Sequence, residues 1–194
     1  SLQDIFFTAN QVSNKLYINQ GNFKFNDITQ TAGLTSSQWC TGVSVADINN
    51  DGWQDIYVSN DYVEEDYLYL NNQNGTFREV LKEQIPHISN FSMGLDIADI
   101  NNDGLADVFF ISNQNTNKLY LNKGNFKFED ISVPSGIQGK KAWSTGVVMV
   151  DINGDGFLDI YVLDAGNNID AVRKSQLYIN NKNNTFTEKA AEYN

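Results

Sequence analysis

The sequence has few of the residues on which several common chemistries depend. Its 194 residues include one Cys, one His and two Pro. A single Cys excludes an internal disulfide framework and a Cys-rich zinc site, and a Ser-His-Asp arrangement would depend entirely on His87. No apolar run approaches the roughly 20 residues that a membrane helix needs, because Asp, Asn or Gly interrupts each one. We therefore expect no membrane insertion.

Basic residues are also scarce. The chain has 24 acidic residues against 13 Lys and Arg, which gives a formal net charge of −11. A nucleic-acid phosphate surface would repel such a chain, and no run of Lys or Arg is longer than two residues. No nucleic-acid partner is expected. The hydrophobic content of 41% is nevertheless enough for the core of a folded domain.

The dominant feature that is present is an internal repeat of about 52 residues. Three segments align without gaps: TGVSVADINNDGWQDIYV (41–58), MGLDIADINNDGLADVFF (93–110) and TGVVMVDINGDGFLDIYV (145–162). A second block, typified by NKLYINQGNFKFNDI, recurs at 14–28, 66–80, 117–131 and 175–189. These blocks predict one repeat region over 1–194, with units at about 1–40, 41–92, 93–144 and 145–194.

Each unit predicts four short β-strands. In the second unit these are 41–46, 56–59, 67–70 and 76–80, which are rich in β-branched and aromatic residues and separated by turn-forming Asn, Asp and Gly. Only 78–86 could form a helical turn or two. Four strands with tight connections indicate an antiparallel meander. Repeated meanders predict an all-β fold of β-propeller blades, with an elongated stack of β units as the alternative.

The first unit is shorter than the others. Residues 2–5 (LQDI) align with 53–56 (WQDI), so the first strand and most of the following loop have no counterpart in this unit. Residues 187–194 contain no segment that could replace that strand. The sequence therefore predicts three full blades and three strands of a fourth, as a fragment of a larger propeller.

The strongest chemical signal is the motif D-x-N-x-D-G-x-x-D, which occurs three times. Side-chain oxygens at positions 1, 3, 5 and 9, a Gly at position 6 that permits a sharp turn, and an inward carbonyl at position 7 are what a hard cation requires. Such a loop offers roughly six or seven oxygens, which suits Ca²⁺ better than Mg²⁺. The predicted ligands, those at position 7 through the backbone carbonyl, are Asp47, Asn49, Asp51, Trp53 and Asp55; Asp99, Asn101, Asp103, Leu105 and Asp107; and Asp151, Asn153, Asp155, Phe157 and Asp159.

Two alternatives to this calcium loop are less compatible with the sequence. An EF-hand needs a Glu at position 12 and flanking helices, whereas Val58, Phe110 and Val162 stand there and both flanks read as strands. An ordinary hairpin turn also favours Asp, Asn and Gly, but three copies with every oxygen position kept favour a metal. The predicted role is structural, because the cation would remove repulsion among the carboxylates. The first unit keeps only Asp4 of a fourth site, so no intact metal site is expected there.

The combination N-x-L-Y-x-N-x-G-x-F, a Gly-led strand and D-x-N-x-D-G-x-x-D resembles the FG-GAP/VCBS repeats of integrin α-subunit propellers and many secreted bacterial proteins. It is particularly similar to the cartilage acidic protein (ASPIC/UnbV-associated) branch, and the resemblance covers essentially the whole chain. It implies a propeller, commonly seven-bladed, with Ca²⁺ in the blade loops and an extracellular or cell-surface role in adhesion or ligand binding. The chain departs from the full pattern in blade number and in having no ASPIC-like C-terminal segment.

Outside the metal loops the candidates are weaker. Cys40 has Ser at the two equivalent positions, which favours a small structural residue over a nucleophile. The aromatic residues Trp39, Phe91 and Trp143 recur just before the first strand, either for packing between blades or as a platform for sugars. His87 lies in a connector without any partner His.

The connectors opposite the metal loops differ most between units, and such loops on a rigid scaffold often carry specificity. The insertion 163–175 is the best candidate contact region among them, through Asp164, Asn167, Asp170, Arg173 and Lys174, although a solvated loop is the plainer interpretation.

These observations predict a calcium-binding, non-enzymatic propeller module of a secreted or cell-surface protein, with an extracellular protein or glycan as its partner. A second hypothesis is the propeller part of a polysaccharide-active, lyase-like enzyme. A third is a purely structural component of a larger surface assembly. The enzyme hypothesis needs acid and base residues clustered on one face, and units this alike offer only His87 and the 163–175 insertion as unit-specific candidates.

Overall fold

A computed structural model shows a chain built almost entirely of short β-strands. It describes residues 2–10, 12–36, 39–61, 65–84, 92–112, 115–139, 143–165 and 174–193. Within these ranges the helical segments are α1 (Leu81–Gln84) and a 3₁₀ helix (Ala190–Glu192). Neither is long and apolar enough to cross a lipid bilayer.

The described strands form four antiparallel sheets, one for each unit, and within each sheet consecutive strands are neighbours. The first sheet has three strands and the other three have four. The predicted all-β fold of blade-like meanders, with a shorter first unit, is therefore confirmed. The strands are β1 (Ile5–Phe7), β2 (Lys15–Gly21) and β3 (Lys24–Asp27); β4 (Cys40–Ala46), β5 (Asp55–Asn60), β6 (Tyr67–Asn71) and β7 (Phe77–Glu79); β8 (Ser92–Ala98), β9 (Asp107–Ser112), β10 (Lys118–Asn122) and β11 (Phe128–Asp130); and β12 (Trp143–Val150), β13 (Asp159–Ala165), β14 (Gln176–Asn180) and β15 (Phe186–Glu188).

The hydrophobic core lies between successive sheets. One cluster joins the first and second sheets through Leu16, Leu34, Ile56 and Val58. Larger clusters join the second sheet to the third and the third to the fourth. Burial of each such Leu, Ile or Phe contributes roughly 1.5 to 3 kcal/mol, so the contacts between sheets hold the units together.

The second strand of each inner sheet is covered on both faces. Every residue of β5 and of β9 is buried, because each of these strands lies between two neighbouring sheets. On the fourth sheet, Leu163 of β13 is 47% exposed. The alternating pattern of a one-sided strand is therefore absent from β5 and β9, and the apolar residues in the middle of each strand, 56–58 and 108–111, follow one another without interruption.

The first strands of neighbouring units lie side by side, since β4 packs against β8 and β8 against β12. This approach is close: a Cβ placed on Gly42 would lie 3.1 Å from the Cα of Gly94. First strands side by side with sheets packed face to face are the arrangement of propeller blades. The four blades form an open row, and a larger closed propeller stays a prediction.

Candidate metal centres

Each predicted metal loop connects the first and second strands of its sheet. In the second unit Asp47 follows β4 directly, and Asp55 is the first residue of β5, paired with Ala46. The same placement holds for the motifs that start at Asp99 and Asp151. Positions 1, 3 and 5 therefore lie in the loop, whereas position 9 lies in the sheet.

In the loop, the side-chain oxygens of positions 1 and 3 converge on one backbone amide. The N–H of Asp51 donates to Asp47 Oδ1 at 2.9 Å and to Asn49 Oδ1 at 3.0 Å. The Gly52 N–H donates to Asp47 Oδ2 at 2.8 Å, and the Trp53 N–H donates to Asp51 Oδ1 at 2.9 Å. The first three acceptor positions are thus folded around the amides of positions 5 to 7.

The other two loops have the same hydrogen bonds. In each, the position-1 carboxylate accepts from the amides of positions 5 and 6, position 3 accepts from the amide of position 5, and position 5 accepts from the amide of position 7. All these N···O distances are between 2.8 and 3.0 Å. Because the same hydrogen bonds occur in all three copies, the motif folds into one defined loop structure.

The backbone conformation of the loops explains which residue types stand at two positions of the motif. The Gly at position 6 has a φ of +89°, +86° and +85° at Gly52, Gly104 and Gly156, as the motif predicts. Position 4 is also left-handed, with a φ of 59° at Asn50, 60° at Asn102 and 74° at Gly154. This second requirement is absent from the predicted motif, although only Asn and Gly, the residues that best tolerate such a φ, stand at position 4.

The Asp at position 9 makes a different set of contacts. Asp55 is fully buried; its Oδ2 accepts the Ile48 N–H at 3.1 Å, and its Oδ1 accepts the Asn71 N–H at 2.9 Å. Asp107 and Asp159 bind the corresponding amides in their units. The position-9 carboxylate therefore ties the loop to the third strand. Asp4 keeps one of these bonds, since its Oδ1 accepts the Asn19 N–H at 2.8 Å.

The two kinds of carboxylate also differ in pKa. Burial raises the pKa of Asp55, and it raises the pKa of Asp107 to about 7, with the charges of Asp103 and Asp99 adding to the effect. In contrast, hydrogen bonding, above all from the Phe157 N–H, lowers the pKa of Asp155. A cation beside the loop would favour the ionised form of every one of these groups.

The donor set fits a hard cation in its chemistry. All the predicted ligands lie within the described residues and offer only oxygen atoms, as Ca²⁺ prefers. Positions 1, 3 and 5 lie together in each loop, and position 9 faces the sheet interior. The acidic side chains of the described residues, taken without Asn and main-chain carbonyls, form no group of three or more that could hold a metal ion. The Asn at position 3 and the position-7 carbonyl are therefore needed to complete any site.

An asparagine at the end of the third strand is a further contributor that the sequence analysis missed. Asn122 Nδ2 donates to the carbonyl oxygens of Ile48 and Ala106, each at 3.0 Å, and so bridges its own loop and the loop of the preceding unit. Asn180 bridges Ile100 and Leu158 in the same way, at 2.9 and 3.0 Å. The available signal was the recurring L-Y-x-N, whose Asn falls at 19, 71, 122 and 180.

Comparison with known proteins fits this geometry. A family model described as FG-GAP-like repeat matches residues 1–58, 49–110 and 99–162, and each match ends three residues after one of the three loops. The chain belongs to the FG-GAP-like repeat family. The predicted family is therefore confirmed.

Individual relatives share these FG-GAP-like repeats over most of the chain. Cartilage acidic protein 1 of Mus musculus is 31% identical over 172 residues, and that of Homo sapiens is 30% identical over 174 residues. Each alignment covers 82% of this chain, which spans 26% of the length of each relative. Among solved structures, the V. cholerae biofilm matrix protein Bap1 aligns with 94% of this chain and 29% of its own, at 15% identity and a TM-score of 0.39.

The remaining candidate residues of this FG-GAP-like chain lie outside the predicted metal loops. Burial raises the pKa of the Cys40 thiol, and its Sγ donates to the Gly42 carbonyl at 3.3 Å, which favours a structural residue over a nucleophile. Trp39 and Trp143 are 42% and 51% exposed, so about half of each residue remains accessible.

In the insertion, the Asp164 carboxylate accepts from the Ser144 hydroxyl at 2.8 Å and from Gln176 Nε2 at 2.7 Å. This acid is therefore held by neutral donors of its own sheet. Lys174 is also described and lies just before β14. His87, Phe91, Asn167, Asp170 and Arg173 lie outside the described residues.

Proposed function

We propose that this chain is a calcium-stabilised FG-GAP-like repeat module of an extracellular or cell-surface protein, and that it binds a protein or glycan partner without catalysing a reaction. The observation that carries the proposal is the threefold loop geometry. In each copy the side-chain oxygens of positions 1 and 3 converge on the amide of position 5, in the loop that joins the first two strands of a sheet.

Calcium would add positive charge beside the carboxylates of these loops. In the second unit Asp47, Asn49 and Asp51 would hold it by side-chain oxygens, with the Trp53 carbonyl and Asp55 completing the set. The carboxylates of one loop repel one another in the absence of a cation, and burial adds to the cost at position 9. Bound calcium would offset both effects and so stabilise the connection between the first and second strands.

A melting experiment tests calcium binding. Saturating Ca²⁺ should raise the melting temperature above its value in EGTA, because a ligand at 100 times its dissociation constant adds about 2.7 kcal/mol per site. The triple variant Asp51→Ala, Asp103→Ala, Asp155→Ala should lose this response. A control with the same charge change, Glu83→Ala, Glu129→Ala, Glu192→Ala, alters exposed acids outside the loops and should keep it. Equal melting temperatures in Ca²⁺ and EGTA would contradict the proposal.

The proposed location rests on the family and on the relatives. FG-GAP-like repeats are expected in extracellular proteins, and the two relatives are named for cartilage, an extracellular tissue matrix. Loops of three exposed or half-buried ligands suit the millimolar calcium of that environment, where modules bind with dissociation constants of roughly 10⁻⁴ to 10⁻³ M. To test the proposed location, the tagged full-length parent is expressed and detected in the medium and in cell fractions.

The proposed partner surface is the face opposite the metal loops. Trp39 and Trp143 open the first strands on that face and leave about half of each ring accessible. Exposed aromatic faces of this kind stack on sugars or fill pockets in a protein partner. A glycan array probed with the wild type and with Trp39→Ala, Trp143→Ala tests the glycan branch. Release of product from a bound glycan would instead support the lyase-like alternative, and no bound glycan would leave a protein partner or a structural role.

A further inference from the structure

In the second, third and fourth units, the turn between the third and fourth strands of the sheet lies near the predicted metal loop, because the Asn before this turn donates its amide to the position-9 Asp. Two residues after the recurring Asn, this turn carries Gln73 in the second unit, Gly124 in the third and Lys182 in the fourth. The three residues therefore occupy the same position in the fold but differ in charge. The second unit has a neutral amide there, the third has no side chain, and the fourth has a cation. This difference matters because the side chain at this position can reach the loop.

In the fourth unit that side chain contacts two predicted ligand residues. Lys182 Nζ lies 3.3 Å from Asp155 Oδ2, and it lies 5.1 Å from the centroid of the Phe157 ring. Asp155 is position 5 of the loop and Phe157 is position 7. The ammonium group is thus held by an ion pair and a cation–π contact at the place where the loop would receive a metal.

The other two units lack a cation at this place. Gln73 Nε2 donates to Asp51 Oδ2 at 3.3 Å, so the second unit has the same contact with a neutral group. In the third unit Gly124 offers no side chain, and the adjacent Lys123 pairs with Glu129 at 3.1 Å. The fourth unit is therefore distinguished by charge and not by loop geometry.

We infer that Lys182 acts as a built-in competitor of the metal and gives the loop Asp151–Asp159 a lower calcium affinity than the loop Asp47–Asp55. This inference rests on the proposed calcium binding and names a residue that sets the affinity of one site. To bind, Ca²⁺ must either displace the ammonium group from Asp155 or share the carboxylate with it, whereas Gln73 imposes no such charge repulsion.

The expected difference is modest because the pair is partly exposed. The Lys182 and Asp155 side chains are 47% and 28% accessible, so water screens the repulsion between Lys and Ca²⁺. A screened interaction of this kind changes affinity by roughly three- to tenfold. The Lys side chain can also swing into solvent, which places the effect toward the lower end.

Terbium luminescence can report on one loop at a time, because a Trp at position 7 sensitises a lanthanide bound beside it. The wild type carries Trp53 and reports on the loop Asp47–Asp55. The double variant Trp53→Phe, Phe157→Trp moves this reporter to the loop Asp151–Asp159. Displacement of Tb³⁺ by Ca²⁺ then gives the calcium affinity of each loop. Lys182→Gln is measured in the double-variant background, and the reciprocal Gln73→Lys is measured with the wild-type reporter.

Lys182→Gln should raise the calcium affinity of its loop about three- to tenfold, and Gln73→Lys should lower that of the other loop by a similar factor. The matched control Lys123→Gln makes the same charge change on the equivalent turn of the third unit, where the Lys pairs with Glu129, and should leave both affinities within experimental error. Unchanged affinity in Lys182→Gln, with Ca²⁺ displacing Tb³⁺ from both loops, would overturn the inference while leaving calcium binding intact. Failure of Ca²⁺ to displace Tb³⁺ from either loop would overturn the proposed calcium binding as well.

Discussion

Positions 5 and 9 of the metal motif are both Asp, yet the fold uses them differently. Asp103 is exposed and accepts hydrogen bonds only from within its own loop, whereas Asp107 is fully buried and accepts the amides of Ile100 and Asn122. The first contributes to a loop surface that a cation can reach. The second anchors the loop to the third strand. One motif therefore combines an exposed candidate ligand with a buried one that also anchors the loop.

The anchoring contact recurs in the first sheet. The Asp4 carboxylate accepts the Asn19 amide at 2.8 Å, as Asp55, Asp107 and Asp159 accept the amide of the Asn at the same place in their own units. The anchoring contact is thus a property that all four described sheets share.

The largest expected effect tests this division directly. Asp107→Ala should lower the free energy of unfolding by about 2 to 3 kcal/mol in EGTA, because it leaves two backbone amides without their acceptor. Asp103→Ala should cost less than about 1 kcal/mol under the same conditions, since its partners can be hydrated. Urea denaturation followed by circular dichroism measures both. Equal losses would remove the distinction between anchor and ligand.

A smaller effect is expected where a unit is joined to its neighbour. Asn122→Ala removes the two hydrogen bonds that bridge Ile48 and Ala106 and should cost about 2 kcal/mol. The matched change Asn71→Ala removes only one bond donated by the side chain, to the Gln54 carbonyl within a single unit, and should cost about 1 kcal/mol less. Each Asn also accepts the amide two residues later, so the loss of that bond is common to both variants. Denaturation curves of the two variants compare them, and a larger loss in Asn71→Ala would argue against the bridge.

The smallest effect concerns an exposed acid outside the loops. The Thr29 hydroxyl at 2.6 Å, with Lys15 at 2.9 Å, lowers the pKa of Asp27 from 3.8 to about 2. A lowered folded-state pKa contributes stability above pH 3.8 that is lost as the pH falls toward about 2. The stability difference between the wild type and Asp27→Asn should therefore shrink between about pH 5 and about pH 3. A difference that stays constant over this range would mean that Asp27 does not contribute through its charge.

Much of the fold was predictable because the same pattern of strands and turns recurs in several units. Three aligned copies located the strands to within one or two residues, as the comparison of 56–59 with Asp55–Asn60 and of 67–70 with Tyr67–Asn71 shows. Periodicity alone would have been ambiguous for β5, whose burial on both faces removes the alternating pattern. The recurrence of turn residues at fixed spacing resolved that ambiguity.

The loop was predictable from the spacing of its residues, but the different contacts of those residues were not. The spacing of Asp47, Asn49 and Asp51 indicated a loop that gathers oxygens, and in the structure the side-chain oxygens of Asp47 and Asn49 both accept the Asp51 amide. The burial of Asp55 and its bond to Asn71 could not be read from spacing, because they depend on where the third strand passes. The contact of Lys182 with Asp155 likewise joins residues of two different turns.

The sequence by itself determined the repeat, the short strands, the family and the set of oxygen donors, because each of these depends on residue types at fixed local separations. Only the tertiary structure decided which Asp is buried, which Asn bridges two units and which loop has a Lys ammonium group beside it. Those properties arise when sheets pack face to face and distant turns meet. For Asn180 and Ile100 the chain must close a separation of 80 residues before the hydrogen bond exists.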